Sequence, residues 1–149
     1  VLMVGHNDQL MEYQSKLICE AAGDLGLAFP SDEIRFACPN DFGAALERRA
    51  AEALEASDGP PALFGLSDYC VWTFMARARA KDPGLTFPDV VGAFDTSWSR
   101  QPGQEFHTFA IDYGQMFEKA IQALDSDNYP SPGVEWIIPR LVIQERKPI

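Results

Sequence analysis

Residues 60–80, PPALFGLSDYCVWTFMARARA, contain the pattern that decides the fold. The apolar run at residues 62–66 has the length of a buried strand, and the short polar side chains of Ser67 and Asp68 are favoured at helix N-termini. Residues 69–80 then predict a helix with one apolar stripe, expected in the core: Tyr69, Trp72, Met75 and Ala76. The stretch therefore predicts a strand, a short loop and a helix.

The same succession of strand, loop and helix repeats on both sides of this stretch. Strands are predicted at residues 1–5, 34–37, 62–66, 90–94 and 106–111, and helices at residues 10–25, 42–56, 69–80 and 113–124. Strands and helices that alternate about every 30 residues predict a parallel sheet covered by helices on both faces. Residues 134–144 look extended but contain Pro139, which fits an edge strand or a crossing ribbon better than a central strand. The predicted fold class is α/β, with a parallel sheet and three layers.

Polar side chains follow the predicted strands at the ends where parallel sheets bind ligands. The loops at these ends are His6-Asn7-Asp8, Cys38-Pro39-Asn40, Ser67-Asp68 and Asp95-Thr96-Ser97-Trp98. Their amides, hydroxyls and carboxylates can both donate to and accept from a neutral, polyhydroxylated ligand. We predict that Asp95 accepts hydrogen bonds from ligand hydroxyls, while Trp98 or Phe36 covers an apolar face. For Asp68 and Asp41, a helix-capping role is the alternative.

The composition limits the classes of protein to which the chain can belong. Its 149 residues suit one domain, and 22 acidic against 12 basic residues give a formal charge of −10. This charge repels nucleic-acid phosphates and anionic membranes, and no apolar run approaches the roughly 18 residues of a membrane helix. The chain starts at Val1 without a methionine, so we expect natural sequence upstream. We predict no membrane association, and no DNA binding by this part of the protein.

The motifs that would indicate a cofactor or a catalytic site are missing. The sequence contains neither the GxGxxG of a dinucleotide site nor the GxxxxGK[ST] of a P-loop. Its three cysteines, Cys19, Cys38 and Cys70, include no CxxC pair, which argues against a metal site. Residues 65–69, GLSDY, lack the second glycine of a nucleophile elbow. We predict no cofactor and no enzymatic activity; a hydrolase that uses Ser67, His107 and Asp95 is the competing hypothesis from that class.

Four stretches resemble the effector-binding region of LacI/GalR-type bacterial transcriptional regulators, which is related to periplasmic sugar-binding proteins. They are residues 61–68 (PALFGLSD), 87–95 (FPDVVGAFD), 106–109 (FHTF) and 139–146 (PRLVIQER). The resemblance implies a cytoplasmic homodimer whose two-lobed subunits clamp a small-molecule effector, commonly a sugar, and so change the DNA affinity of an upstream helix-turn-helix. This chain would be the C-terminal lobe. The alternative is a periplasmic sugar-binding protein of a transporter.

The resemblance also divides the chain into two parts. Residues 1–111 would form the strand–helix core of the lobe, and residues 112–149 the crossover helix and the final extended segment. In such proteins the helix that follows the fifth strand belongs to the other lobe. We therefore expect the helix at residues 113–124 to lack its usual sheet.

Carried over position by position, the ligand contacts of the family are only partly kept. The aspartate of a Gly-Phe-Asp motif falls on Asp95, and an Asn-Asp pair becomes Ser67-Asp68. A first-helix arginine falls on Gln14 or Ser15, and a Gln-Pro pair becomes Ile111-Asp112. The missing guanidinium removes a charge-assisted hydrogen bond of roughly 1.5–3 kcal/mol, and the change to Ile111-Asp112 removes another polar contact. A less polar effector than the usual sugars, or none, is therefore the alternative. The candidate ligand-binding residues are Asp95, Ser67, Asp68, Gln14, Phe36 and Trp98.

Overall fold

Six strands form one mixed sheet in the computed structural model, which describes residues 1–6, 8–28, 34–37, 48, 51–52, 54–55, 59–103, 106–125 and 140–142. The strands are β1 (Leu2–Val4), β2 (Arg35–Ala37), β3 (Leu63–Gly65), β4 (Val90–Ala93), β5 (His107–Ala110) and β6 (Arg140–Val142). Their order is β2-β1-β3-β4-β5-β6, and the first five are parallel. β6 pairs antiparallel with β5 at the edge of the sheet, as expected for the proline-containing segment. The predicted α/β class with a parallel sheet is confirmed.

Helices pack on both faces of this sheet. The helices are α1 (Asp8–Asp24), α2 (Asp68–Lys81) and α3 (Tyr113–Asp125), with a short 3-10 helix at Ser97–Arg100. Successive side chains of a strand point to opposite faces, so Met3 packs with Met11 of α1, whereas Leu2 and Val4 pack with α2. The sheet is therefore the middle of three layers.

The buried side of α2 differs from the predicted one. Its buried apolar residues are Cys70, Val71, Phe74, Met75 and Ala78, whereas Tyr69 of the predicted stripe is 42% exposed. Apolar side chains surround most of this helix, so the sequence pattern alone does not distinguish its two sides. Tyr69 and Trp72 instead form a flank that contacts Trp98 of the 3-10 helix. Only Met75 of the predicted stripe is fully buried.

Helix α3 exposes an apolar face along residues 113–122, whose side chains the structure describes. Tyr113, Met116, Phe117 and Ile121 recur at helical spacing and are between 41% and 68% exposed. The helix begins after Asp112, whose carboxylate accepts a hydrogen bond from the Gln115 N–H at 2.9 Å. This exposure agrees with the expectation that the helix lacks its usual sheet in this chain.

Several sequence predictions lie outside the described residues. They concern Asn7, the loop Cys38-Pro39-Asn40, the cap Asp41, most of the helix at residues 42–56, and residues 134–139 and 143–144. Residues 48, 51–52 and 54–55 are helical, as the prediction for that segment requires. Among the described residues, no helix has the length and apolar character needed to cross a membrane.

Candidate functional site

The carboxyl ends of the five parallel strands meet along one edge of the sheet, which we call the rim. Strand β6 begins at this same edge because it runs antiparallel, and its first residue, Arg140, pairs with Ala110 at the end of β5. In open α/β sheets, ligands bind in crevices at this edge. The described part of the rim thus combines residues that follow β1, β3, β4 and β5 with the start of a strand from the far end of the chain.

A cavity of about 340 Å³ opens in the rim between the ends of β4, β5 and β6. Its size falls within the roughly 300–1,000 Å³ of small-molecule sites. It is lined by Phe94, Asp95, Ala110, Ile111, Asp112, Tyr113 and Arg140. Two carboxylates, one guanidinium and two aromatic rings can therefore face one ligand. Of the six candidate residues, only Asp95 lines this cavity.

Asp95 lies in a sharp left-handed turn that follows β4. Phe94 has a φ of 88° and Asp95 a φ of 48°, a backbone region that non-glycine residues rarely adopt. The Phe94 N–H donates to the carbonyl oxygen of Phe109 at 2.7 Å, and the Asp95 N–H donates to Thr108 Oγ1 at 3.2 Å. Two hydrogen bonds from β5 therefore hold the turn against its conformational cost.

The carboxylate of Asp95 accepts a hydrogen bond from Arg100 at the end of the 3-10 helix. The two side chains are 21% and 49% exposed, so water screens this ion pair and it contributes little to stability. A ligand hydroxyl can reach the exposed part of the carboxylate. The rim also gains a guanidinium here, although not at position 14, where the family resemblance places one.

Asp68 is fully buried, which does not support its predicted contact with a ligand. Its Oδ2 accepts from the Thr96 N–H at 2.6 Å and from Thr96 Oγ1 at 3.0 Å, and its Oδ1 accepts from Thr108 Oγ1 at 2.6 Å. A buried carboxylate must be hydrogen-bonded to offset its desolvation, and here two threonines do this. The carboxylate of Asp68 therefore acts inside the protein.

Ser67, and not Asp68, caps α2. Its Oγ accepts from the Cys70 N–H at 3.2 Å and donates to Cys70 Sγ at 3.0 Å. Burial raises the pKa of the Cys70 thiol, because a thiolate would lose its hydration there. The hydroxyl of Ser67 thus has a structural role at the start of the helix, which accounts for its position after the strand.

The remaining three candidates lie apart from the cavity. Trp98 packs against Trp72 and Tyr69, with ring centroids 4.5 Å and 5.3 Å away. Phe36 packs with the apolar cluster beneath α1. Gln14 has a buried Oε1 that lacks a hydrogen-bond partner within the described part of the chain, so this atom can accept from a ligand or a water molecule. The six candidates do not form one cluster.

The cavity also contains side chains that the sequence analysis did not name as ligand contacts, among them Phe94, Asp112, Tyr113 and Arg140. Arg140 reaches the rim only because β6 runs antiparallel to β5, and no local pattern records that pairing. The sequence pattern places Tyr113 at the start of a helix and gives no sign that it lines a site. The described residues also contain no group of three or more histidine, cysteine, aspartate or glutamate side chains that could hold a metal ion.

The fold is shared with solved structures of transcriptional regulators. One is described as the transcriptional regulator CelR in complex with cellobiose, with a TM-score of 0.64 and 16% identity over 97% of this chain and 45% of that one. Another is a transcription regulator from Lactobacillus plantarum, with a TM-score of 0.62 and 14% identity over 95% of this chain and 57% of that one. The chain therefore spans about half the length of these proteins.

Sequence comparisons add no closer relationship. No protein-family model matches the chain, and no curated protein matches it. The structural likeness at 14–16% identity shows the fold alone and leaves the function to be argued from the site.

Proposed function

We propose that the chain is the effector-sensing lobe of a LacI-type transcriptional regulator, with a sugar or related metabolite as its effector. The observation that carries the proposal is the rim cavity, which brings Asp95 and Arg140 together at the carboxyl ends of the strands. The fold supports it, because two regulators share this fold and one of them was solved with cellobiose. Effector binding would then change the arrangement of the lobes and, through it, DNA binding.

The chemistry of the cavity suits a sugar. The carboxylates of Asp95 and Asp112 accept hydrogen bonds from hydroxyls, and the guanidinium of Arg140 donates to ring or hydroxyl oxygens. The rings of Phe94 and Tyr113 are 41% and 47% exposed and can cover the apolar face of a pyranose. Ser67, Gln14, Phe36 and Trp98 stay proposed contacts, which a ligand or a second lobe would have to reach.

The full regulator would bind DNA through a separate helix-turn-helix, act in the cytoplasm as a homodimer and catalyse no reaction. The alternative is a periplasmic sugar-binding protein that serves a transporter. The two differ in the segment encoded upstream: a basic helix-turn-helix supports the regulator, and a signal peptide supports the transporter protein. Sugar binding alone does not separate them, so the upstream sequence is the deciding observation.

The pocket is tested by thermal shift and calorimetry with cellobiose and a panel of monosaccharides and disaccharides. A single lobe offers half of the usual contacts, so we expect dissociation constants of about 1 mM or weaker. Asp95→Ala removes an acceptor from the cavity, whereas Asp89→Ala, the matched control, changes an exposed aspartate that precedes β4 at the opposite edge of the sheet.

We expect at least one saccharide to raise the melting temperature of the unsubstituted chain and of Asp89→Ala, but not of Asp95→Ala. If no saccharide stabilises the chain, or if Asp95→Ala responds like the unsubstituted chain, the proposed sugar site is wrong. A hydrolase would reveal itself by product formed from the same saccharides, and loss of that product in Ser67→Ala would favour the competing hypothesis.

A further inference from the structure

A buried hydrogen-bond network connects Asp68 to the turn that carries Asp95. Thr108 Oγ1 donates to Asp68 Oδ1 at 2.6 Å and accepts from the Asp95 N–H at 3.2 Å. A hydroxyl has one proton to donate, and Thr108 donates it in the hydrogen bond to Asp68. The lone pairs of Thr108 Oγ1 are therefore left to accept from the Asp95 N–H. The direction of this bond depends on Asp68 being an acceptor.

A second connection from Asp68 reaches the residue on the other side of Asp95. Oδ2 of Asp68 accepts from both the N–H and the hydroxyl of Thr96. Thr108 thus holds Asp95 by a hydrogen bond to its own N–H, and Asp68 holds the following residue, Thr96. Its left-handed φ of 48° lies between these two attachments.

The fold leaves room for this carboxylate at one position of β4. A Cβ on Gly92 would collide with Asp68 Oδ1 and would lie 2.7 Å from Phe106 Cε2. The absence of a side chain at position 92 therefore lets Asp68 reach across β4 to Thr108 on β5. Asp68 and Thr108 are fully buried, and Thr96 is partly buried.

We infer that Asp68 is a positioning residue of the effector site: through Thr96 and Thr108, its buried carboxylate holds the left-handed turn at Phe94–Asp95 and sets the direction in which the Asp95 carboxylate faces the cavity. This inference deepens the proposed function and, for its effect on ligand binding, rests on it. Asp68 touches no ligand itself. It acts on the ligand only through Asp95.

The first experiment needs no ligand. It compares the same change, threonine to valine, made separately at two buried positions. Thr108→Val removes the hydroxyl that joins Asp68 to Asp95, and Thr108→Ser keeps it. Thr73→Val, the matched control, removes a buried hydroxyl that has no hydrogen-bond partner within the described residues. Amide hydrogen exchange at Asp95 and Thr96 is measured by NMR in each variant.

We expect Thr108→Val and Asp68→Asn to accelerate exchange at Asp95 by roughly tenfold or more, and Thr108→Ser and Thr73→Val to leave it within about twofold of the unsubstituted chain. Asp68→Asn matters because an amide nitrogen facing Thr108 donates a proton and so competes with the Asp95 N–H for the same oxygen. Unchanged exchange at Asp95 in both Thr108→Val and Asp68→Asn would overturn the inference.

The second experiment measures affinity for whichever saccharide of the panel binds, in a double-mutant cycle of Asp68→Asn and Asp95→Ala. If Asp68 acts through Asp95, each variant weakens binding by roughly tenfold and the double variant is no weaker than Asp95→Ala alone. Additive losses would show that Asp68 acts by another route and would overturn the inference. If no saccharide binds, the proposed function fails, and the exchange experiment still decides whether Asp68 holds the turn.

Discussion

At the scale of single residues, several polar side chains of the described rim make hydrogen bonds within the protein. Ser67 caps α2, Asp68 binds two threonines, and Asp112 caps α3. Asp95 and Arg140 remain as the charged groups that line the cavity without capping a helix. A polar residue at the end of a strand is therefore a weaker sign of ligand contact than its position implies, because helix caps need the same residue types at the same place.

A substitution at Gly92 tests how tightly the carboxylate of Asp68 is packed. We predict that Gly92→Ala lowers the free energy of unfolding by about 1–3 kcal/mol, since the new methyl group collides with Asp68 and Phe106. Gly23→Ala is the matched control: that glycine is in α1, and apart from its chain neighbours and the adjoining helix backbone no atom lies within 4 Å of the place its new methyl group would occupy. Alanine there should stabilise the helix by up to about 1 kcal/mol. Urea unfolding measures both. Equal stability of the two variants would contradict the packing described for Gly92.

At the scale of elements, α2 and α3 both carry many apolar residues, but α2 buries most of them, whereas α3 leaves those that the structure describes exposed. Phe74 of α2 is fully buried against Phe87, with ring centroids 5.9 Å apart, while Phe117 of α3 is 68% exposed. Helix α3 has the amphipathic pattern of a helix that packs on a sheet, yet its apolar face is open within the described chain. The proposed second lobe accounts for this difference, because it would supply the missing surface.

The two phenylalanines give a direct comparison of covered and open faces. We predict that Phe74→Ala lowers the free energy of unfolding by about 3–5 kcal/mol, because it leaves a cavity in the core. Phe117→Ala should change it by less than about 0.5 kcal/mol at low protein concentration. Urea or thermal unfolding of both variants provides the measurement. A cost for Phe117→Ala close to that of Phe74→Ala would mean that the face of α3 is covered in solution.

At the scale of the whole molecule, the charge of the chain and the class of its structural neighbours have to be reconciled. The formal charge of −10 opposes contact with nucleic acid, although the proteins that share the fold are transcriptional regulators. The chain covers 45% and 57% of those proteins. A lobe that senses an effector and a separate segment that binds DNA would reconcile these facts.

We predict that the chain does not bind duplex DNA at physiological salt. Electrostatic repulsion by a net negative protein removes the counterion-release contribution that supplies most non-specific affinity. A gel-shift titration with random and palindromic duplexes, repeated at low salt, measures this. Sequence-selective retention at micromolar protein would contradict both the prediction and the proposed division of labour.

Sequence patterns alone predicted the alternation of strands and helices along the chain and the edge of the sheet where the polar loops meet. These features follow from local periodicity and from short polar residues at strand ends, so the predicted elements whose bounds the structure describes begin and end within one or two residues of the predictions, except β6, where three residues of the predicted segment form the strand. The 3-10 helix at Ser97–Arg100 was not predicted. Which polar residues line the cavity follows instead from the three-dimensional packing of the chain. The hydrogen bonds that bury Asp68 reach Thr96 and Thr108, 28 and 40 positions away, and Arg140 enters the cavity through an antiparallel pairing. Contacts between residues so far apart in the chain depend on how strands lie side by side, which no local pattern records.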